Sequence, residues 1–491
     1  MSDFKKNVVS GISWSFVNQI AAQALNLLIT LVLVRFISPQ EFGTLGMVTV
    51  LTGFAYAFLN FGFAAALIQK QEVSPKDLAT VFFVSVTSGL VLYALFYLSA
   101  GPISQFYEKP ELTRLVRVIA LNFLILSFGI VQSSMLVKEL KFKRLALINI
   151  SAILVSGSIA IWMATQGYGI WSLVIQSLLL SGVSTTLFLF FSGIRVRLGF
   201  DRQAFAGMFN FGGHAAADSM LSYWARNLDN LLIAKFLGDF SLGLYSKAYS
   251  VMLLPLVNFS QVISKVLFPS FSSIQQEHEK IKHIYLKITR IIAFVTFPIM
   301  VMLWALSENF VLVVFGEAWA GMIPILEILC WLGIPQSILT LNGSIYHALG
   351  RADLAFRVGL VLKLNLAIGF IAGLYFGGLI GLALGYAIAG VINFYPSFYF
   401  AGRLINMYMS EQLANLAKIM VCTALAGGLV YWLKKIAWLS EQGVLLELFL
   451  LAGIGAVVYL ILLVIVRAPV LMELKAELQK AYLRKNVVQK H

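Results

Sequence analysis

Apolar stretches follow one another along almost the whole chain, each about as long as a bilayer is thick. A membrane span needs about 20 apolar residues. A polar linker at residues 192–209 separates six such windows from six more, and two further windows follow. The windows lie near residues 14–34, 42–67, 79–100, 112–135, 145–165, 170–191, 210–235, 242–271, 285–306, 322–347, 355–376, 379–400, 413–434 and 446–466. The pattern therefore predicts an all-α polytopic membrane protein with about 14 transmembrane helices.

The same pattern predicts how the chain is divided. We expect an N-terminal six-helix lobe at 1–191, a cytoplasmic linker at 192–209, a C-terminal six-helix lobe at 210–400, two additional helices at 401–466 and a basic tail at 467–491. In the tail, apolar side chains recur at helical spacing among Glu and Lys, at Leu471, Leu474, Leu478 and Tyr482. That spacing is typical of a short amphipathic helix on a membrane surface.

The composition excludes a protein made of soluble domains. Hydrophobic residues make up 60% of the 491 and charged residues 12%, whereas soluble domains are about 45–50% apolar and about 25% charged. The formal net charge of +14 does not indicate nucleic acid, because the basic residues lie in the loops between apolar windows. There they anchor the spans and face anionic lipid.

The distribution of basic residues predicts the orientation. Loops on one side of the predicted spans carry 24 Lys and Arg, and loops on the opposite side carry 7. Loops rich in Lys and Arg stay in the cytoplasm. Both termini are therefore expected to be cytoplasmic.

Short motifs repeat at nearly equal offsets, which indicates that the two lobes are related. Residues 35–37 (RFI) with Gly43 match residues 235–237 (KFL) with Gly243, 200 positions later. Residues 129–133 (GIVQS) match residues 333–337 (GIPQS) at an offset of 204. Because six spans separate the copies, the lobes would be parallel pseudo-repeats, an arrangement that transporters place around a midplane site.

Charged and polar residues inside the predicted spans are the candidate site, since such residues are expensive in lipid and mark function. The deep cations all lie in the second half: Arg226, Lys247, Lys265 and Lys363. Polar faces at helical spacing accompany them: Gln19, Gln23 and Asn26 in the first window, Asn258 and Gln261 in the eighth. We predict that these nine residues line a central cavity and bind an anionic, hydroxyl-rich substrate.

The seventh window also carries candidate ion-coupling residues. His214, Asp218 and Arg226 share a face at i+4 spacing, and Asp229 follows. We expect Asp218, Asp229 and His214 to link transport to protons or sodium. The structural alternative is that Arg226 and Asp229, at i and i+3, form an ion pair that only neutralises itself.

The sequence contains no motif for a soluble-enzyme site. A Walker A loop and a His-Glu-x-x-His metal motif are both absent from it. We therefore predict no enzyme activity, no catalytic residue, no metal and no cofactor. Transport energy would come from an ion gradient, the membrane potential or the substrate's own gradient.

Several motifs together resemble the bacterial polysaccharide transporter family, in its colanic-acid and teichuronic-acid exporter branch. They are residues 11–14 (GISW), 33–43 (LVRFISPQEFG), 61–63 (FGF), 66–70 (ALIQK), 226–233 (RNLDNLLI), 242–245 (LGLY) and 267–269 (LFP). That family belongs to the superfamily of multidrug, oligosaccharidyl-lipid and polysaccharide flippases. The resemblance covers essentially the whole chain.

The resemblance implies a flippase in the bacterial inner membrane. It would move an undecaprenyl-pyrophosphate-linked oligosaccharide, with membrane lipids, glycosyltransferases and a glycan polymerase as partners. A cation-coupled drug exporter of the same fold is one alternative, but its site would favour acidic residues. A polytopic glycan polymerase or ligase is another, but enzymes of that kind carry a large outer loop. The longest outer loop predicted here is about 15 residues, at 307–321.

Overall fold

The computed structural model describes residues 2–56, 58–59, 62–194, 196–435 and 443–473. For residues 2–12, 210–222, 225, 261–262 and 265–266 it describes the backbone alone. Every regular element of this described part is helical. The prediction of an all-α protein is therefore confirmed.

Residues 1–246 form one compact unit, and the boundary with the second falls within helix α11. The helices of the first unit are α1 (Ser2–Leu33), α2 (Pro39–Tyr56), α3 (Phe63–Gln69), α4 (Pro75–Phe106), α5 (Leu112–Ile119), α6 (Leu121–Ser127), α7 (Ile130–Lys138), α8 (Phe142–Thr165), α9 (Ile170–Phe191), α10 (Arg202–Phe236) and the start of α11 (Gly238–Pro255).

Residues 247–491 form the second unit. After the end of α11 and a π-helical turn at Leu256–Ser260 come α12 (Gln261–Ser272), α13 (His278–Ala305), α14 (Ser307–Val314), a 3₁₀ turn (Glu317–Met322), α15 (Ile323–Leu339), α16 (Asn342–Ala348), α17 (Ala352–Arg403), α18 (Met409–Leu433) and α19 (Val444–Ile465).

The helices have the length and apolarity of a multi-pass membrane protein. In the described chain ten stretches are long and apolar enough to cross a bilayer, or eleven when α5–α6 and α7, bent by 46°, count as one span. One of the ten, α17, contains two predicted windows in 52 residues. It is a hairpin, because its two helical arms meet at the non-helical Gly377 and Gly378 and pack against each other at Gly373 and Gly381. The expected number of 14 and the two six-helix lobes stay predictions.

Local sequence explains where the long helices begin. At α4, Ser74 and Asp77 cap each other reciprocally and Pro75 occupies the first turn. Ser38 and Glu41 do the same for α2, with Ser38 N donating to the Glu41 carboxylate at 2.9 Å. The side chain of Asp201 caps α10, and the N–H that Ala204 donates to it at 2.8 Å lowers the pKa of that carboxyl.

The first unit is held by apolar contacts between successive helices. Phe63 and Leu67 of α3 are fully buried with Val81 of α4 and Val131 of α7. A second cluster joins α2, α4 and α6 around Phe123. Burial of this kind stabilises the unit through packing, since lipid removes most of the hydrophobic drive between helices.

The second unit combines apolar packing with buried hydrogen bonds. Tyr285 of α13 donates to the Asn342 side chain at 2.6 Å, and Asn342 in turn donates to Ser397 of α17 at 3.0 Å. All three residues are buried. Because no water competes inside such a bundle, satisfied polar groups fix which helix faces meet.

The predicted tail helix falls almost wholly at residues 474–491, which lie outside the described residues. Glu473, the last described residue of the tail, accepts a charge-assisted hydrogen bond from Arg290 of α13 at 2.5 Å. Arg290 also donates from Nε to the Asn415 side chain of α18 at 2.9 Å. The start of the tail is thus tied to α13.

Candidate functional site

The long helix α10 carries the polar stripe of the predicted site. It runs unbroken from Arg202 to Phe236, so His214, Asp218 and Arg226 follow one another at multiples of four and share one face. The side chain of Arg226 is exposed. The side chains of His214 and Asp218 lie outside the described residues.

Asp229 is the buried carboxylate of this region, with 3% of its surface exposed. Its Oδ2 accepts a hydrogen bond from the Tyr245 hydroxyl at 2.8 Å, and its Oδ1 accepts one from the Asn230 backbone at 2.8 Å. Tyr245 is fully buried as well. The site therefore contains a tyrosine that sequence reasoning had not included, although it stands within the 242–245 motif.

The residues of the polar face predicted on α1 differ in how far their side chains are exposed. Gln19 and Gln23 are half-buried and Asn26 is exposed. Asn18, next to them, has a buried side-chain oxygen with no hydrogen-bond partner among the described residues. These amides offer acceptors and donors of the kind that sugar hydroxyls need.

Lys363 is an exposed cation at membrane depth in the second unit. It is exposed in the middle of an apolar stretch of α17, and its ammonium makes no hydrogen bond or ion pair with any residue that the structure describes. Lys247, on α11, is half-buried and has an interaction partner. Lys363 is thus the clearest candidate for a cation that meets an anion from outside the protein.

The stripe predicted on the eighth window lies at an irregular turn. Asn258 sits in the π-helical turn Leu256–Ser260, where its amide donates to the Leu254 carbonyl at 2.8 Å. Such turns often occur at functional sites. The side chains of Gln261 and Lys265, one and five residues after the turn, lie outside the described residues.

The two glutamines of the repeat motif share a property in their separate units. Gln132 on α7 and Gln336 on α15 each have a buried side-chain oxygen without a partner among the described residues. Gln336 donates to the Tyr386 hydroxyl at 3.4 Å. A buried acceptor that lacks a donor is costly, so each amide is suited to take a hydroxyl from a ligand or water.

A charged cluster that the sequence analysis missed lies where α11 begins. Asp239, 5% exposed, accepts a hydrogen bond from the Thr44 hydroxyl at 2.7 Å and forms an ion pair with Lys109. Nearby, Lys235 pairs with Glu108 at 3.2 Å. Asp239 lies in a predicted loop, so no pattern in the sequence indicated a buried partner for it.

The described residues include groups that can bind anions and hydroxyl groups. Among them there is no group of three or more His, Cys, Asp or Glu placed to hold a metal ion. The side chains of Arg226 and Lys363 are exposed, and several helices carry amide side chains. Such groups bind anionic and hydroxylated ligands reversibly.

A comparison with protein families matches residues 32–324 to the model described as "Polysaccharide biosynthesis protein". Similar chains include teichuronic acid biosynthesis protein TuaB of Bacillus subtilis (strain 168), 30% identical, with 94% of this chain and 96% of that protein covered. Lipopolysaccharide biosynthesis protein WzxC of Escherichia coli (strain K12) is also 30% identical, with 80% of this chain and 81% of that protein covered.

Among solved structures, the fold resembles the lipid II flippase MurJ in an inward closed conformation. The TM-score is 0.74 at 17% identity, and the match covers 93% of this chain and 99% of that one. At this identity the likeness concerns the fold. The resemblance read from the sequence motifs, to the bacterial polysaccharide transporter family, is thereby confirmed by the family match and the relatives.

Proposed function

Because this chain belongs to the family of polysaccharide biosynthesis proteins, we propose that it is a flippase for an undecaprenyl-pyrophosphate-linked oligosaccharide. The cargo would be the repeat unit of an exopolysaccharide, capsule or O-antigen. It would cross the bacterial inner membrane by alternating access of two six-helix lobes around a central cavity. The protein itself would catalyse no covalent step.

The observation that carries the proposal is the ammonium of Lys363, exposed inside an apolar stretch of α17 and without a partner among the residues that the structure describes. A cation at membrane depth costs several kcal/mol unless water or an anion compensates. A pyrophosphate headgroup supplies two adjacent anionic groups. Lys363 and Arg226, both exposed, are each suited to bind such a group, and we assign the same role to Lys247 and Lys265.

The amide side chains provide for the sugar. Gln19, Gln23 and Asn26 on α1 and Asn258 and Gln261 around the π-helical turn present donors and acceptors at helical spacing. Amides can hydrogen-bond to sugar hydroxyls in either direction. Such a lining tolerates a range of sugars, whereas the cations select the charged linkage that all these cargoes share.

Energy for transport would come through the carboxylates of α10. We assign ion coupling to Asp218, Asp229 and His214, with the Tyr245 hydroxyl holding Asp229 in place. Both termini and the linker at 192–209 would be cytoplasmic. Membrane lipids, glycosyltransferases and a glycan polymerase of the same pathway would be the partners.

Reconstituted vesicles test the proposal directly. Purified protein is placed in vesicles that carry a fluorescent undecaprenyl-pyrophosphate oligosaccharide, and flipping is read as loss of the fraction accessible to an external quencher. We expect Lys363→Ala to lower the rate about tenfold and Lys363→Arg to retain most of it. Lys76→Ala, at an ion-paired and largely exposed lysine in the first turn of α4, is the matched control.

The same vesicles distinguish the structural alternative for Arg226. If Arg226 only neutralises Asp229, the double variant Arg226→Gln with Asp229→Asn should flip normally. If Arg226 binds phosphate, the double variant should stay inactive while it remains folded. Transport of a cationic drug with no flipping of the lipid-linked glycan would reject the proposed cargo and favour the drug-exporter alternative.

A further inference from the structure

The repeat motifs of the sequence meet each other in the fold. A methyl group added to Gly43 of α2 would overlap the backbone carbonyl of Asp239, and one added to Gly243 of α11 would overlap that of Pro39. Residues 39 and 43 correspond to 239 and 243 at the same offset of 200. The contact is therefore reciprocal, as expected where two copies of a repeat cross on a local twofold axis.

The close approach continues along α2. A methyl group at Gly46 would crowd the Leu242 side chain, and one at Gly53 would overlap the Tyr223 hydroxyl. That hydroxyl donates to the carbonyl of Val50 at 2.8 Å. We call this contact the glycine seam: Gly43, Gly46 and Gly53 of α2 against Tyr223, Asp239, Leu242 and Gly243.

One end of the seam carries a lock that breaks the symmetry. Asp239 accepts from Thr44 at 2.7 Å and pairs with Lys109, which follows α4. The Asp239 side chain is 7% exposed and that of Lys109 is 23% exposed. At the offset of 200, Asp239 corresponds to Pro39 and Thr44 corresponds to Leu244. The side chains of Pro39 and Leu244 cannot form such a polar contact. The polar contact is therefore made on one side of an otherwise symmetric crossing.

The seam is suited to parting as well as to closing. Small residues let backbones approach closely, and the resulting van der Waals attraction falls away within about an ångström of separation. Glycine has no side chain that could interlock across Gly43 and Gly243. The Tyr223 hydroxyl and the Asp239 cluster cross the contact with polar bonds, and water can replace both when the helices separate.

We propose that the glycine seam is the outer gate of the transport path and that the Asp239–Lys109 ion pair holds it shut. Arg35, Lys109 and Lys235 are among the seven basic residues on the side opposite the predicted cytoplasmic loops, span edges included, so the locked end would lie at the outer surface. The seam parts to release cargo outward. This inference rests on the proposed flippase function, and its tests are separable from it.

Labelling with a thiol reagent tests whether the seam opens. The buried thiols Cys330 and Cys422 are first replaced by alanine, and Leu242→Cys places a probe at a position that is 1% exposed. Intact cells are treated with a membrane-impermeant maleimide. We expect slow labelling that rises several-fold when Asp239→Asn or Gly43→Ala is added.

The matched control is Gly182→Ala on α9, where an added methyl group meets no atom within 4 Å. It should leave the labelling rate unchanged. Equal rates in Asp239→Asn, Gly43→Ala and this control would overturn the gate. Labelling confined to permeabilised cells would overturn its outer placement.

A cross-link tests whether transport needs the opening. Thr44→Cys combined with Asp239→Cys joins side chains that touch in the closed seam. Oxidation should abolish flipping in the vesicle assay, and reduction of the same sample should restore it. Unchanged flipping after complete cross-linking would show that the seam stays closed throughout transport and would reject the proposal.

A second cysteine pair serves as the control for the cross-link. Asn122 of α6 donates to Ser177 of α9 at 3.1 Å, and a disulfide there joins helices within the first predicted lobe. It should leave flipping intact. Suppose that labelling shows the seam to open but the protein flips no lipid-linked glycan. This result would contradict the proposed function, and it would still support the opening of the seam.

Discussion

In the described part of the chain, two helix pairs bring glycine backbones together, and they differ in the other contacts that join the two helices. In the α17 hairpin a methyl group at Gly373 would overlap the carbonyl of Gly381. In the glycine seam a methyl group at Gly43 would overlap the carbonyl of Asp239. The backbones are similarly close in the two places, so close packing alone does not distinguish a permanent contact from one that opens.

The α17 hairpin is joined by its turn and by buried amides. Gly378 adopts φ +56°, which favours glycine, and lets the chain fold back after Gly377. Asn365 donates to the Asn393 side-chain oxygen at 2.9 Å, and Asn393 donates to the Leu362 carbonyl at 2.9 Å. Breaking these bonds in an apolar bundle leaves polar groups without partners, so the arms are held together permanently.

The glycine seam joins segments that are far apart in sequence. Lys109 and Asp239 are 130 positions apart, and their ion pair lies at a partly exposed edge. Water can solvate both charges when the pair separates, which keeps the energetic difference between closed and open small. The comparison teaches that the polar lock, more than the glycines, decides whether such a contact is fixed.

The largest effect is expected from Gly373→Ala in the hairpin. The methyl group would meet backbone that the short turn prevents from moving away, and overpacking of this kind costs about 1–3 kcal/mol. Thermal unfolding of the purified protein, followed by tryptophan fluorescence, should show a clearly lower Tm. Gly359→Ala, where the added methyl group meets nothing within 4 Å, should keep or raise it.

A smaller loss is expected from Asn393→Ala. The change removes the bonds of Asn393 with the Leu362 carbonyl and the Asn365 amide and leaves only the bond from Asn365 to the Ala389 carbonyl at 3.2 Å. We expect a cost of about 1–2 kcal/mol. Asn258→Ala is the control, because it removes a bond between residues only four positions apart and none between the arms of α17. A Tm for Asn393→Ala equal to that of the control would mean that the turn alone holds the hairpin.

Much of the helical framework could be predicted, because an apolar run of span length is typical of a membrane-spanning helix and of little else. The windows at 355–376 and 379–400 fall on the two arms of α17, and the polar face of Gln19, Gln23 and Asn26 lies on one unbroken helix. The sequence could also identify the equivalence of Gly43 and Gly243. That equivalent glycines touch each other depends on the fold and could not be read from spacing.

The polar cluster at the seam escaped sequence reasoning for a physical reason. Asp239 lies in a predicted loop, where an acid is ordinarily solvated, and only the fold brings Thr44 and Lys109 to it. Asp229 was identified as a deep carboxylate, but its bond to Tyr245 depends on how α10 and α11 pack. Position in a span predicts that a polar group needs a partner without saying which residue provides it.

The smallest effect on stability, and the sharpest test of the comparison, is expected from Gly43→Ala. The added methyl group overlaps the Asp239 carbonyl much as that of Gly373→Ala overlaps the Gly381 carbonyl, yet the seam can relieve the overlap by parting. The cost should therefore stay below about 1 kcal/mol, partly offset by the better helix propensity of alanine. We expect a Tm near that of the unsubstituted protein, together with faster labelling at Leu242→Cys. A drop in Tm as large as that of Gly373→Ala, without faster labelling, would show that the seam is as rigid as the hairpin and that the two glycine contacts do not differ in kind.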